Sequence, residues 1–151
     1  MVKHMRIVFE KGGEFIAALM EDKARRACMQ VREALPIDTR AGQAARSGEV
    51  LNCAVPFEHK LVENSKLVFP QGGLALDGKL FMSLYREGDQ SIVKAAIVIA
   101  YGADNMSFGY SGLTNPICYF AQIKEGLDEL YQIGRRNREY GREKVTFSKL
   151  V

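Results

Sequence analysis

Short apolar or alternating stretches separated by turn residues dominate this 151-residue chain, and they constrain its fold more than any other feature. About eight such stretches are bounded by Gly, Pro, Asn or Asp, the residues that favour turns between strands. Only two segments carry helical periodicity, which is too few for a sheet of parallel strands joined by helices. The pattern therefore predicts a mainly β fold, a closed antiparallel barrel of about eight strands with two capping helices.

The N-terminal third of the sequence has the pattern of a hairpin followed by a helix. Residues 5–10 and 14–20 flank a Gly-Gly turn, which suits the positive φ angles that hairpin turns require. Apolar residues then recur at helical spacing, which predicts a helix over residues 22–35. The carboxylates of Glu21 and Asp22 offer an N-cap for the first turn of this helix.

The rest of the chain contains further short strands and a second helix. Residues 39–48 are polar and irregular, whereas residues 126–140 carry the second apolar helical stripe. A long polar loop with three glycines is predicted at residues 102–116. The further predicted strands are residues 50–55, 66–69, 74–76, 79–85, 91–101, 117–123 and 144–150.

Charge and composition exclude several classes of protein. The net charge of +3 is too small to indicate a nucleic-acid-binding surface, and no apolar run approaches the roughly 20 residues that span a bilayer. The first residues lack the pattern of a secretory signal, and three widely spaced cysteines indicate reduced thiols. We expect a single cytoplasmic domain over residues 1–151, with no cofactor, no metal, no nucleic acid and no membrane partner, and a homo-oligomer stays open.

Residues 5–10, 19–24 and 115–123 carry short motifs that resemble segments of the cyclophilin family. Residues 5–10 and 19–24 look like the cyclophilin opening, where a hairpin leads into a helix that begins Glu-Asp-x-Ala-Pro, although Arg25 stands here in place of the Pro. Residues 115–123 look like its Asn-Gly-Ser-Gln-Phe-Phe-Ile strand. The chain is more similar still to a bacterial family of uncharacterised cyclophilin-like proteins, with which it shares the patterns of residues 33–36, 45–49, 101–102, 120–123 and 126–127.

This resemblance implies a cyclophilin-like barrel without the usual isomerase constellation. Prolyl isomerases of this fold use a Trp, a Phe-His-Arg segment and a Gln, but this chain has no Trp and no such segment. Cys118 stands at the Gln position, Phe120 matches the family's Phe, and Arg46 is a candidate stand-in for its Arg. A degenerate prolyl isomerase therefore stays an alternative rather than the main interpretation.

The predicted ligand site combines the long loop with two other segments. Glycines, hydroxyls and amides in such a loop can present hydrogen-bonding groups to a ligand, and an arginine can clamp a carboxylate. We expect a small-molecule-binding protein whose ligand is a small polar or carboxylated metabolite, with catalysis not established. The candidate ligand-binding residues are Arg46, Tyr101, Asn105, Asn115 and Phe120.

Two other features are interpreted as structural. Cys53 and His59 flank the turn at Pro56, and a thiol beside an imidazole is the pattern of a nucleophile and its base. We interpret them as a core cysteine and an exposed loop histidine. The basic run over residues 135–144 follows partial helical spacing, which indicates a solvated helix face. A protein-interaction module that uses an exposed barrel face is the second alternative.

Overall fold

A computed structural model describes residues 3–44, 47–59, 63–78, 95–106 and 117–150. Within these residues the strands are β1 (His4–Phe9), β2 (Glu14–Leu19), β3 (Ile37–Gln43), β4 (Gly48–Ala54), β5 (Gly73–Asp77), β6 (Ala96–Asn105), β7 (Ile117–Ile123) and β8 (Glu143–Lys149). The helices are α1 (Arg25–Ala34) and α2 (Leu127–Tyr140). All strand pairs are antiparallel, and the sheet closes in the order β1-β2-β7-β5-β6-β4-β3-β8. The predicted mainly β barrel with two helices is confirmed.

Apolar side chains from every strand fill the barrel interior. Along β1 the side chains alternate between exposed and buried, so that Met5, Ile7 and Phe9 face inward. Both faces of β6 are covered, because Ile97 and Ile99 join the interior while Val98 and Ala100 join a second cluster. That second cluster includes Phe69 and Tyr119 on the outer side of the sheet. The core therefore has an interior and an outer layer around β6.

Helix α1 begins later than the sequence predicts, and its cap comes from elsewhere in the chain. Its N-cap residue is Ala24, which makes no side-chain capping bond, so the predicted cap from Glu21 or Asp22 is wrong. The Glu21 carboxylate instead pairs with Arg32, 2.6 Å away. The carboxylate of Glu63 accepts hydrogen bonds from the first-turn N–H groups of Arg26 (3.2 Å) and Ala27 (2.9 Å).

Helix α2 packs against β3, β4 and β6, and its position depends on one small residue. A Cβ atom at Gly134 would overlap the ring of Tyr101, so glycine permits the close approach of helix and strand. The guanidinium of Arg136 makes a bidentate ion pair with Glu143, with bonds of 3.0 and 2.8 Å. Arg135, Arg138 and Arg142, the members of the basic run at helical spacing, are exposed as predicted, whereas Arg136 fastens the helix to β8.

The structure corrects the predictions for two segments, residues 39–48 and residues 66–69. Residues 39–48 are not irregular, since most of them belong to β3 and to the start of β4. Buried Ile37 and Ala41 alternate there with exposed polar residues, a pattern in which small side chains hide the strand signal. Residues 66–69 form no strand, and only a single bridge joins Ser65 to Cys118.

Part of the predicted long loop belongs to a strand. Strand β6 continues to Asn105, so the first residues of the predicted 102–116 loop are paired. Residues 107–116 and the strand predicted at residues 79–85 lie outside the described residues. In the described part of the chain, neither helix is long and apolar enough to cross a membrane.

Candidate functional site

A cleft of about 420 Å³ lies between α2 and the ends of β4 and β6. We call it the α2 cleft. It carries two carboxylates, two amide side chains and one phenol ring, together with the backbone at the end of β6. Its lining residues are Glu49, Gln71, Gly102, Ala103, Asp128, Tyr131 and Gln132.

Specific contacts hold the walls of the α2 cleft in place. The Nε2 amide of Gln71 donates to the Tyr101 carbonyl (2.9 Å) and to the Leu127 carbonyl (3.0 Å), which ties β6 to the start of α2. The Glu49 carboxylate accepts the backbone N–H of Asp104 at 3.0 Å. A Cβ atom at Gly102 would overlap that carboxylate, so glycine is what allows Glu49 to lie across the end of β6.

The charge at the α2 cleft is mixed. Glu49 and Asp128 are acidic lining residues, whereas Arg135, which is exposed and does not line the cleft, contributes a guanidinium beside the lining residue Tyr131. Carboxylates can bind an amine, and a neighbouring guanidinium can bind a carboxylate. The lining itself therefore offers partners for a cation, and a guanidinium lies next to it on α2.

The structure describes three of the five candidate residues from the sequence. Tyr101 precedes two lining residues of the α2 cleft, but its ring is buried under α2 and its hydroxyl donates to Gln43 Oε1 at 2.7 Å. Burial raises the pKa of the Tyr101 hydroxyl, which therefore stays protonated at neutral pH. Phe120 is fully buried in the barrel interior.

Asn105 has a structural position beside the cleft. Its Oδ1 accepts the N–H of Phe69 at 3.0 Å, and its Nδ2 donates to the carbonyls of Phe69 and Gly102, each at 3.0 Å. The side chain therefore joins residues 69 and 102 and shapes the backbone next to the cleft. Arg46 and Asn115 lie outside the described residues, so the five-residue ligand site stays a prediction.

A thiol and an imidazole meet at the opposite end of the barrel. His59 Nε2 lies 3.1 Å from Cys118 Sγ, and His59 Nδ1 lies 2.9 Å from Gln30 Oε1. His59 is only 3% exposed, so the interpretation of it as an exposed loop histidine is wrong. Its partner thiol belongs to Cys118, which lies 59 residues away along the chain, and this pairing had no local sequence signal.

Other chemistry of the described residues is limited. All three cysteines are buried thiols, and none of them forms a disulfide. No group of three or more His, Cys, Asp or Glu side chains within the described ranges is arranged to hold a metal ion.

Comparison with known proteins assigns the chain to a family. The model of a family described as "Protein of unknown function (DUF3830)" matches residues 8–149. The chain belongs to this family. None of the curated proteins matches the sequence of this DUF3830 protein.

Solved structures share its fold. The structure titled "Structure of McbB in complex with tryptophan" superposes with a TM-score of 0.68 at 16% identity, over 96% of this chain and 44% of McbB. The solution structure of the hypothetical protein AF2241 from Archaeoglobus fulgidus gives 0.56 at 18% identity, over 99% of this chain and 95% of AF2241. The DUF3830 chain thus spans less than half the length of McbB, and at these identities the likeness shows the fold alone.

Proposed function

We propose that this protein binds a small polar metabolite that carries a cationic amine, and that the α2 cleft is the binding site. The observation that carries the proposal is the pairing of Glu49 and Asp128 as lining residues of one cleft. A carboxylate that accepts a hydrogen bond from an ammonium group makes one of the stronger polar contacts available to a protein. Two carboxylates in one cleft favour the binding of a cationic ligand over an anionic one.

The size and the other side chains of the cleft narrow the ligand further. A volume of about 420 Å³ falls within the range of small-molecule sites. The Tyr131 ring offers a flat apolar surface, and Gln132 offers an amide. Arg135, beside Tyr131, provides a cation for a ligand carboxylate. An amino acid or a related amine satisfies these groups together.

The fold comparison supports this proposal only in general terms. McbB has the related fold and is in complex with tryptophan, so a barrel of this type is compatible with binding an amino acid. The proposal keeps the small polar ligand of the sequence interpretation but gives first place to an amine. A ligand carboxylate becomes a second feature, bound by Arg135 rather than by Arg46. The cyclophilin relationship stays a hypothesis.

Titration calorimetry with matched probes tests the proposal. Tryptamine carries only the amine, tryptophan carries both charges, and indole-3-propionate carries only the carboxylate. Butylamine, norleucine and hexanoate repeat the comparison without the indole ring. We expect the amine and zwitterion probes of at least one set to bind and the carboxylate probes not to bind. The absence of binding by every amine-bearing probe, or equal binding of the carboxylates, contradicts the proposal.

Two variants and one matched control locate the binding. Asp128→Asn and Glu49→Gln should each weaken an amine probe about 10- to 150-fold, because a charge-assisted hydrogen bond contributes about 1.5–3 kcal/mol. Glu129→Gln is the control, since Glu129 occupies the same first turn of α2 but its carboxylate approaches Gly13. It removes the same charge from the same helix end and should leave affinity unchanged. Equal weakening by all three variants would indicate a general charge effect rather than this cleft.

A further inference from the structure

The hydrogen bonds around Gln30 determine the protonation pattern of His59. The Nε2 amide of Gln30 donates to the carbonyl of Glu58, so the amide is oriented with its Oε1 atom toward the imidazole. Oε1 accepts only, and the 2.9 Å contact therefore requires a proton on His59 Nδ1. In the neutral imidazole, the other nitrogen, Nε2, is then a proton acceptor.

That acceptor is directed at the sulfur of Cys118. Burial raises the pKa of the Cys118 thiol, so its resting form is S–H, which can donate across the 3.1 Å contact to Nε2. The backbone N–H of Glu63 donates to the same sulfur at 3.2 Å. When the proton passes to His59, this N–H group remains to stabilise the thiolate.

The other two cysteines lack this environment in the described part of the chain. Cys28 donates to the carbonyl of Phe120 at 3.3 Å, and a carbonyl oxygen is too weakly basic to take its proton. Cys53 faces the apolar interior, where burial raises its pKa. All three thiols have 0% exposure, so access to solvent does not distinguish them. What distinguishes Cys118 is the base beside it.

We propose that Cys118 is a nucleophilic thiol, with His59 as its base and Gln30 as the residue that orients the imidazole. The group it would attack is a small carbon electrophile, such as an alkyl or acyl carbon with a leaving group. The S–H proton passes to His59 Nε2, a sulfur lone pair forms the S–C bond, and the leaving group departs with the electrons of its bond to carbon. The imidazolium then returns the proton to the leaving group or to water, which restores neutral His59.

This site is separate from the α2 cleft and does not rest on the proposed binding function. Cys118 lies opposite Leu76, near the end of β5. The α2 cleft lies near the other end of that strand, where Gly73 lies opposite Gln122 and Gln122 donates to the carbonyl of the cleft residue Gln71. The two sites therefore lie on the order of 10 Å apart or more along the strand direction. Failure of one proposal leaves the other unaffected.

Iodoacetamide alkylation of the full-length native protein tests the proposal. It is a small neutral probe, and peptide mass spectrometry gives a separate rate for each cysteine under the same conditions. We expect Cys118 to react at least tenfold faster than Cys28 and Cys53, and Cys28 is the closer internal control because Cys53 lies deeper in the interior. A Cys118 rate equal to or below theirs overturns the proposal.

Two variants separate activation by the base from simple access to the thiol. His59→Gln should slow Cys118 alkylation about 100-fold, in line with the usual contribution of a general base. Gln30→Met keeps the side-chain length but removes the Nδ1 partner, and it should slow alkylation by a smaller factor. The rates of Cys28 and Cys53 should not change, which also reports that each variant keeps its fold. If Cys118 reacts as fast in a folded His59→Gln variant as in wild type, the base assignment is refuted. If His59→Gln does not fold, a Gln30→Met variant in which Cys118 reacts as fast as in wild type refutes it instead.

Discussion

Because the Glu63 carboxylate caps α1, we expect substitution of Glu63 to lower the stability of the protein. The sequence alone would assign this effect to Asp22 instead. Glu63→Gln removes the charge and leaves one acceptor oxygen for the N–H groups of Arg26 and Ala27. Asp22→Asn changes the residue that the sequence nominates as the cap. The two variants are a matched pair, because each replaces a carboxylate by its amide near the same helix end.

The size of the effect follows from the geometry of the cap. Loss of an N-terminal capping carboxylate costs about 1 kcal/mol, within a range of about 0.5–2. For a domain of this length, that free energy corresponds to a decrease of about 2–4 °C in Tm. The Arg26–Glu63 ion pair adds little, because the Arg26 side chain is 62% exposed. Asp22→Asn should change stability by less than about 0.5 kcal/mol, as at an ordinary surface position.

The dependence on pH gives an independent check. Partial burial raises the pKa of the Glu63 carboxyl, but the N–H groups of Ala27 and Arg26 and the Arg26 side chain outweigh it, and the pKa is lowered from its ordinary value of 4.5. The contribution of Glu63 is therefore fully present above pH 4.5 and is lost as the pH falls through the lowered folded-state pKa. The difference between wild type and Glu63→Gln should shrink accordingly.

Thermal unfolding followed by circular dichroism at several pH values measures both effects. We expect Glu63→Gln to lower Tm at pH 7 and to approach the wild type in acid, with Asp22→Asn close to wild type throughout. If Asp22→Asn lowers Tm as much as Glu63→Gln, or if the difference for Glu63→Gln grows as the pH falls, the capping argument is refuted.

Two further predictions concern the attachment of α2. Arg136→Met should lower the free energy of unfolding by about 3 kcal/mol in chemical denaturation, because it leaves the carboxylate of Glu143 without its cation and the Glu143 side chain is only 1% exposed. The control is Arg40→Met, which changes an exposed residue and should have little effect. Gly134→Ala should cost about 1–3 kcal/mol through overlap with the Tyr101 ring, despite the better helix propensity of alanine, and Tyr101→Leu in the same chain should recover part of the loss. A neutral Gly134→Ala variant would contradict the close contact.

Local patterns were sufficient for most of the secondary structure. The hairpin of β1 and β2 follows from a nearly alternating stretch and an apolar stretch on either side of a Gly-Gly turn, and both helices follow from apolar stripes. The failures have a common physical cause, which is that long-range contacts decide them. The α1 cap comes from Glu63, a residue well outside the local sequence window, and β3 is a strand because β4 and β8 pair with it.

The candidate sites were harder to predict for the same reason. Gly102, where the predicted glycine-rich polar loop begins, lines the α2 cleft, whereas residues 107–116 of that loop lie outside the described residues. The acidic character of that cleft depends on Glu49 and Asp128, which lie 79 residues apart and carry no motif. Likewise, the sequence places Cys53 nearest to His59, whereas the fold brings Cys118 to it.

The packing of the barrel explains why both candidate sites lie at its ends. Side chains from all eight described strands fill the interior, and Phe120 and Phe147 have no exposed surface. Where these described interior side chains pack at normal density they leave little space for a ligand, and both candidate sites lie where a helix packs across the strand ends. At one end, Gly102 admits the carboxylate of Glu49, and at the other, α1 brings Gln30 to His59. It follows that substitutions in the interior act on stability first, whereas substitutions on the helices and strand ends test the two proposed sites.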